Sequence, residues 1–432
     1  MRTVALYTLG CKVSQYETEA IAERFRERGF LVVPFGSPAD AYVINTCTVT
    51  EESDRKSRKV IRRAIAASPS AVVAALGCYT QRASREAAAI AGVDIVIGTE
   101  GKLSVVDLVE QKLKERCGQI VSAPPLDGAK FEKMRITGAP RTRAYVKIED
   151  GCECRCTYCA IAPARGPVRS KSPEDVIDEV EALYSTGTRE IVLTGIETGS
   201  YGIDLDPRTS LSELIAELDR RASCERIRLG SMAPELVGRD FLEGVRGARI
   251  LAPHLHMSLQ SGSDRVLARM KRRYNRARAI ENMYKLREAI PGMQFTCDLM
   301  VGFPGESESD FADTVDLVRE VGMLSCHVFA YSRRAGTPAA DYDGQIEEGE
   351  KRRRSRELIR VAGEVRASVL DGVVGDGSTH TVIVEEEREG GLFGHSESFV
   401  EFLIPGARVP VGDAVRVAPV SHNGETVVGR II

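Results

Sequence analysis

The sequence predicts an α/β protein in three parts: an amino-terminal parallel α/β domain, a partial (β/α)6 barrel and a small carboxy-terminal antiparallel β barrel. Three observations carry that expectation. Apolar, β-rich runs alternate with helical stretches through most of the 432 residues. A turn-rich break, Ser122-Ala123-Pro124-Pro125-Leu126-Asp127-Gly128, divides that alternation into two series. After about residue 371 the pattern changes to short β runs between Gly-rich turns. A chain of this length with 43% hydrophobic residues is too long for one core.

In the first segment, residues 1–122, the same placement recurs three times. Val4-Ala5-Leu6-Tyr7-Thr8 precedes Cys11, Tyr42-Val43-Ile44-Asn45-Thr46 precedes Cys47, and Val72-Val73-Ala74-Ala75-Leu76 precedes Cys78. Short continuous apolar runs between helices read as buried parallel strands, and parallel sheets bind ligands beyond the carboxyl ends of their strands. Three cysteines just past three such ends are expected on one rim, where they make a three-thiolate metal site. Unrelated small residues, or a redox cysteine at Cys47, are the other readings of the same pattern.

The second segment, residues 138–368 with a charged connecting helix at its end, is expected to hold strands at 144–149, 190–194, 226–231, 254–259, 294–301 and 325–331. Ser172-Pro173-Glu174-Asp175 has the chemistry of a helix cap and first turn. Six βα units with right-handed crossovers give an open barrel whose chemistry lies at the carboxyl ends of its strands. His254, His256, Ser258 and Gln260 alternate onto one strand face, and structural hydrogen bonds are expected for at least one of the histidines. Cys297 and Cys326 read as buried packing residues, whereas Cys117 and Cys224 have no assignable role.

The third segment, residues 371–432, contains Phe393, His395 and Phe399, a set of rings suited to stacking on bases, or else to a purely structural appendage. The formal charge of −3 hides basic runs at 55–59 with Arg62 and Arg63, at 271–273 and at 351–354. Each is either a phosphate contact or a solvated helix face. Eleven cysteines, an odd number, argue against a disulfide framework. With no apolar run near the roughly 20 residues that span a bilayer, the expected location is the cytoplasm, away from membrane.

The densest cysteine cluster opens the barrel: Asp150-Gly151-Cys152-Glu153-Cys154-Arg155-Cys156-Thr157-Tyr158-Cys159. The CxxxCxxC spacing of Cys152, Cys156 and Cys159 suits three irons of a [4Fe-4S] cluster, leaving one iron open for chemistry, since such clusters otherwise take four cysteines. A zinc site using Cys154 as a fourth thiolate is the alternative.

CxxxCxYC resembles the signature of the radical S-adenosylmethionine (SAM) enzymes. Together with Thr8-Leu9-Gly10-Cys11-Lys12-Val13-Ser14-Gln15-Tyr16-Glu17-Thr18, Asn45-Thr46-Cys47-Thr48-Val49-Thr50 and Gly77-Cys78-Tyr79, it resembles the radical SAM methylthiotransferases over essentially the whole chain. Those three motifs look like the set that acts on threonylcarbamoyladenosine in tRNA. Ser14 and Cys154 depart from the family's usual residues, as does the Pro167-Val168-Arg169-Ser170 run.

The resemblance implies two [4Fe-4S] clusters: an auxiliary one on Cys11, Cys47 and Cys78, and a catalytic one on Cys152, Cys156 and Cys159 that chelates SAM. It implies that Tyr158, Gly195, Glu197, Gln260, Ser261, Gly262 and Gly302 line the SAM pocket, and that the tail is a TRAM domain. The implied reaction is methylthiolation at carbon 2 of threonylcarbamoyladenosine beside the anticodon. Such an unactivated C–H requires radical chemistry from the cofactor. The implied partners are a tRNA anticodon loop, an external one-electron donor of flavodoxin or ferredoxin class and a sulfur source. Isopentenyladenosine or a ribosomal-protein aspartate is the alternative substrate, and a zinc-bearing RNA-binding protein is the alternative of another class.

Overall fold

The computed structural model describes residues 1–115, 117–138 and 142–432, so residues 139–141 of the expected second segment lie outside the described residues. Two compact units emerge: Met1–Ile136, Tyr145–Lys171 and Ser332–Ala340 form one, and Thr137–Ala144, Ser172–Tyr331 and Asp341–Ile432 the other. The cysteine loop is therefore part of the first unit. No helix among the described residues is long and apolar enough to cross a membrane.

The first unit is built on a parallel sheet of β1 (Thr3–Thr8), β2 (Leu31–Val33), β3 (Ala41–Thr46), β4 (Val72–Gly77), β5 (Ile95–Ile97) and β6 (Ile120–Ser122), in the order β2-β1-β3-β4-β5-β6. Both faces are buried, as continuous apolar runs require: Val43, Ala74 and Leu76 pack on one side, and Tyr42, Ile44, Val73 and Ala75 on the other. The three cysteine-bearing strands β1, β3 and β4 are immediate neighbours, with Thr8 opposite Asn45 and Thr46 opposite Gly77. The expected shared rim is thus a fact of the topology.

In the second unit, Glu190–Thr194 pairs in parallel with Arg226–Leu229. After a break at Gly230 the chain resumes as Ser231–Met232, which begins a parallel sheet with His254–Gln260, Gln294–Val301 and Ser325–Ala330 in that order. The expected strand at 226–231 is thus two short ones in different sheets, and Gly230 between them runs so close to its neighbours that a Cβ would stand 2.9 Å from Thr198 Oγ1 and 3.1 Å from the Leu193 carbonyl. Ser172 caps the helix Pro173–Ser185 as expected, its hydroxyl accepting from Asp175 N–H at 3.2 Å. Ser210 with Glu213 and Ser307 with Asp310 form capping boxes.

The tail forms a closed barrel from His380–Arg388, Gly391–His395, Glu401–Ile404, Ala414–His422 and Val427–Ile431. All pairs are antiparallel except Glu401–Ile404 with Val427–Ile431, which closes it in parallel.

The base-stacking expectation for the tail is corrected. Phe399, at φ +69°, has its ring stacked on both His254 and His395, at 4.5 and 4.7 Å between centroids, with the Arg228 guanidinium 4.8 Å from it. Phe393 is 4% exposed, under Arg388. These rings are spent on packing, because an aromatic face gains more from a dry, charged contact than from water.

Below these rings, Glu190 accepts from Arg228 at 2.8 Å and pairs with Arg143 and Arg226 at 3.1 and 3.2 Å. The charge of His395 makes this region pH-sensitive. Burial alone would lower its pKa, but hydrogen bonds with Glu385 and Glu401 raise it above the ordinary 6.5. A raised histidine contributes stability that is complete below about pH 6.5 and is lost as pH climbs through the folded value. The melting midpoint of the second unit is expected to fall between pH 6 and 8, and to fall less in His395→Gln. Parallel pH profiles of the two proteins would remove this explanation.

The basic run 351–354 also resolves. Lys351 pairs with Glu348 at 2.7 Å, Arg353 with Glu308 and Glu350 at 2.6 and 2.7 Å, and Arg354 with Glu306 at 2.7 Å. Three of its four cations are structural ion pairs rather than phosphate contacts.

Candidate cluster and cofactor sites

The amino-terminal cysteines sit where strands hand over to helices. Cys11 is the N-cap of α1 (Lys12–Glu27), and Cys78 opens the short helix Cys78–Arg82. Cys47 lies in the loop before α2 (Glu51–Ala67), which Thr50 caps by accepting from Ser53 N–H. Two glycines make the handover possible. At Gly10, φ +117°, a Cβ would meet Cys47 Cβ at 3.2 Å. At Gly77, φ +108°, it would meet Asn45 Oδ1 at 2.5 Å. Arg334 clamps the Cys47 loop from the segment Ser332–Ala340, donating to Thr48 Oγ1 at 2.7 Å and Asp54 at 2.6 Å.

Burial grades the three thiols from exposed Cys11 through Cys47 to Cys78 at 4%. Burial, together with the neighbouring Cys78 and Cys11, pushes the Cys47 thiol up to about 11, against its backbone hydrogen bond. A bare thiol of that kind holds its proton, so metal loading must release it.

Beneath the rim lies a fully buried charge network. Glu17 accepts from Lys102 at 2.5 Å, Lys147 at 3.2 Å and Arg165 at 2.7 Å. Asp150, two residues before Cys152, takes Lys147 at 3.2 Å and Arg165 at 3.1 Å. Arg165 also donates from Nε to Cys78 Sγ at 3.1 Å. Burial alone would raise the carboxyl of Glu17, but Arg165, Lys102 and Lys147 hold it well below its usual range. Arg169 also reaches Asp150, at 3.5 Å, so four cations face these two carboxylates, and one of them, Arg165, stands beside a cysteine sulfur. Sequence reading missed this network. Arg165 and Asp150 lie close to the cysteine loop in the chain, but nothing around Lys102 marks it.

In the loop itself, Cys152 Sγ accepts from the Cys154 N–H at 3.4 Å and Cys159 Sγ from the Ile161 N–H at 3.3 Å. Arg155 at φ +49° and Gly151 at φ +98° provide the tight reversals. Cys156 and Tyr158 are half-buried there. Donors aimed at sulfur and a surplus of buried positive charge fit an anionic iron–sulfur group.

The expected SAM-facing residues lie in the second unit. Glu197 is 6% exposed and accepts from Ala233 N–H at 3.1 Å, just past the half-buried Gly195. Gln260, at φ +67°, ends its strand with Oε1 buried and unpaired among the described residues. Ser261 is 1% exposed, and its hydroxyl holds the turn through Ser263 N–H and Thr314. Gly262 admits no Cβ, which would fall 2.4 Å from the Asp313 carbonyl. Gly302, φ +71°, lies against Lys351 and donates its N–H to Glu306 at 2.7 Å.

Comparison with known proteins follows this geometry. The profile of the Radical SAM superfamily matches residues 146–318, and that of Uncharacterized protein family UPF0004 matches residues 3–98. Full-length relatives decide the family. The Threonylcarbamoyladenosine tRNA methylthiotransferase MtaB of Bacillus subtilis is 39% identical over 96% of this chain and 93% of its own. The chain belongs to the radical SAM methylthiotransferases.

The MtaB protein of Thermotoga maritima is 36% identical over 98% of this chain and 96% of its own. A tRNA-2-methylthio-N(6)-dimethylallyladenosine synthase of Clostridium botulinum is 30% identical over 98% and 96%. Among solved structures, the radical SAM methyltransferase TsrM of Kitasatospora setae shares the fold, with a TM-score of 0.60 at 17% identity over 78% of this chain and 77% of that one. As a radical SAM enzyme, the methylthiotransferase works with SAM and a [4Fe-4S] cluster.

Proposed function

We propose that this methylthiotransferase modifies carbon 2 of threonylcarbamoyladenosine at position 37 of tRNA. The observation that carries the reading is 39% identity, almost end to end, to a protein whose name states that substrate. Cys152, Cys156 and Cys159 would hold the cluster that binds SAM, and Cys11, Cys47 and Cys78 an auxiliary [4Fe-4S] cluster. When bound, these groups supply the electron that cleaves SAM and the sulfur that is transferred.

The chain's own residues position and shield them. Arg165 places an N–H against Cys78, Arg334 fixes the Cys47 loop, and the backbone N–H groups of Cys154 and Ile161 orient two sulfurs of the SAM loop. Gly195, Glu197, the Gln260–Gly262 turn and Gly302 would face SAM. The closed tail barrel would be a TRAM domain serving tRNA. Exposed Lys56, Lys59, Arg62 and Arg63 on α2 would neutralise phosphates of the anticodon arm. An external one-electron donor, a sulfur source and a cytoplasmic setting complete the reading.

The deciding experiment is an anaerobic reaction of iron-loaded protein with SAM, reductant and tRNA carrying threonylcarbamoyladenosine, followed by mass spectrometry. Both 5′-deoxyadenosine and the methylthio nucleoside are expected. Deoxyadenosine alone, with product appearing only on tRNA carrying isopentenyladenosine, would move the substrate to the second class. Affinity for tRNA is expected to fall steeply with salt, and a flat salt dependence would contradict the phosphate contacts.

A further inference from the structure

Arg82 closes the short helix that Cys78 opens, and residues four apart on a helix share a face. Its Nη2 donates to the Ala335 carbonyl at 2.8 Å, and its Nη1 lies 3.5 Å from Thr48 Oγ1, one residue beyond Cys47. The helix packs on Ile161–Arg165, which begins two residues after Cys159. A thiolate at Cys159 is close enough to act on the guanidinium, in the direction that raises its pKa. All of these residues belong to the first unit, so Arg82 borders both groups of cysteines within one compact body.

What Arg82 lacks is a counter-ion. Among the described residues its hydrogen bonds are those two, and no carboxylate pairs with it. Glu51 and Asp54, whose charges it feels, are held by Arg334 at 2.8 and 2.6 Å. Burial first, and then Arg334, push its pKa below the usual guanidinium range. It stays protonated at neutral pH, so this half-buried side chain carries a positive charge that the protein leaves uncompensated. A carbonyl and a hydroxyl hold the guanidinium in place without neutralising it, and an anion arriving there gains from the charge.

The substituent of threonylcarbamoyladenosine ends in such an anion, a carboxylate, whereas that of isopentenyladenosine is an uncharged hydrocarbon. Its ureido N–H closes a six-membered hydrogen-bonded ring on N1, which turns the threonyl group toward the edge of the base that carries carbon 2. A base whose carbon 2 faces the proposed auxiliary cluster therefore carries its carboxylate on the cluster side.

We propose that Arg82 is the specificity residue that receives the carboxylate of the threonylcarbamoyl group, beside the two groups of cysteines. This inference rests on the substrate reading above and adds the residue that enforces it. A site built to pair a charged group rejects the analogue that lacks the charge, because its own charge is then left without a partner.

The test uses iron-loaded full-length enzyme and three anticodon stem-loops, carrying threonylcarbamoyladenosine, its methyl ester or unmodified adenosine. Binding is followed by fluorescence anisotropy, and methylthiolation and 5′-deoxyadenosine release by mass spectrometry. Wild type is expected to prefer the acid to the ester by about tenfold or more in Kd and in kcat/KM, the range of a charge-assisted hydrogen bond. Arg82→Gln, with iron and sulfide content unchanged, is expected to lose most of that preference. Arg82→Lys keeps the charge without the guanidinium fork and is expected to fall between the two.

Wild type that methylthiolates the acid without preferring it, or a preference unchanged in Arg82→Gln, overturns the inference while the substrate reading stands. Wild type that methylthiolates neither the acid nor the ester overturns both. The carboxylate of SAM and the phosphates of tRNA are the other anions within the same chemistry. A raised KM for SAM in Arg82→Gln with the acid preference intact would assign the residue to SAM, and equal weakening on all three stem-loops would assign it to phosphate. Either result overturns the proposal. If Arg82→Gln fails to load iron, Arg82→Lys decides, and a preference equal to that of wild type overturns the inference.

Discussion

Glu17→Gln is expected to destabilise the first unit by about 3–5 kcal/mol, the cost of leaving buried charge without its partner. Glu17 is fully buried and is the common acceptor of Lys102, Lys147 and Arg165. Its neutralisation takes the carboxylate from Lys102 and leaves Lys147 and Arg165, with Arg169, on Asp150. For a unit of this size the loss corresponds to a fall of roughly 10 °C in the melting midpoint of metal-free protein. Removing one cation as well, in Glu17→Gln with Lys102→Met, is expected to recover part of the loss, because Lys102 is the cation whose pKa burial and Arg165 already push down. A single variant that melts within about 2 °C of wild type would mean that the network is not coupled as its geometry indicates. Arg165→Gln separates stability from chemistry. It is expected to lower the reduction potential of the proposed auxiliary cluster, followed by its electron paramagnetic resonance, because a positive donor on Cys78 sulfur favours the more negative, reduced form.

Cysteine replacements are expected to divide the two products. On the proposed ligand set Cys156→Ala removes a thiolate of the SAM cluster, and both 5′-deoxyadenosine and methylthio nucleoside should fall at least about a hundredfold. Cys47→Ala should keep SAM cleavage within a few-fold of wild type and lose the methylthio product. Cys154→Ser should retain both products, since it is the backbone N–H of residue 154 that reaches Cys152, at 3.4 Å. Iron and sulfide content, measured on each protein, connects loss of product with loss of a cluster. If Cys47→Ala formed methylthio product at the wild-type rate, the amino-terminal trio would have no part in sulfur transfer. If Cys154→Ser lost SAM cleavage, the loop would use a different set of thiolates.

Much of the fold was legible because the signals were local. Apolar runs at 4–8, 42–46 and 72–76 announced β1, β3 and β4, and Ser172 announced its helix. The adjacency of those strands followed from parallel sheet geometry, and with it the shared rim of Cys11, Cys47 and Cys78. The alternation at 254–260 put His254 and His256 on one face, where both meet Thr296 Oγ1, at 3.0 and 2.8 Å.

What the sequence determined by itself was therefore most of the main strands, a helix cap, the spacing of the cysteines and the family, because spacing, periodicity and caps are properties of neighbouring residues. Tertiary structure alone decided the rest. It joined Glu17, Lys102, Lys147, Asp150 and Arg165 into one buried network. It turned Phe399 and His395 inward and spent the 351–354 cations on glutamates. It also brought Asp298 and His327 to His256. Each of these depends on which distant charges and rings share one dry volume, where an unpaired group costs several kcal/mol, and no local pattern records that partner.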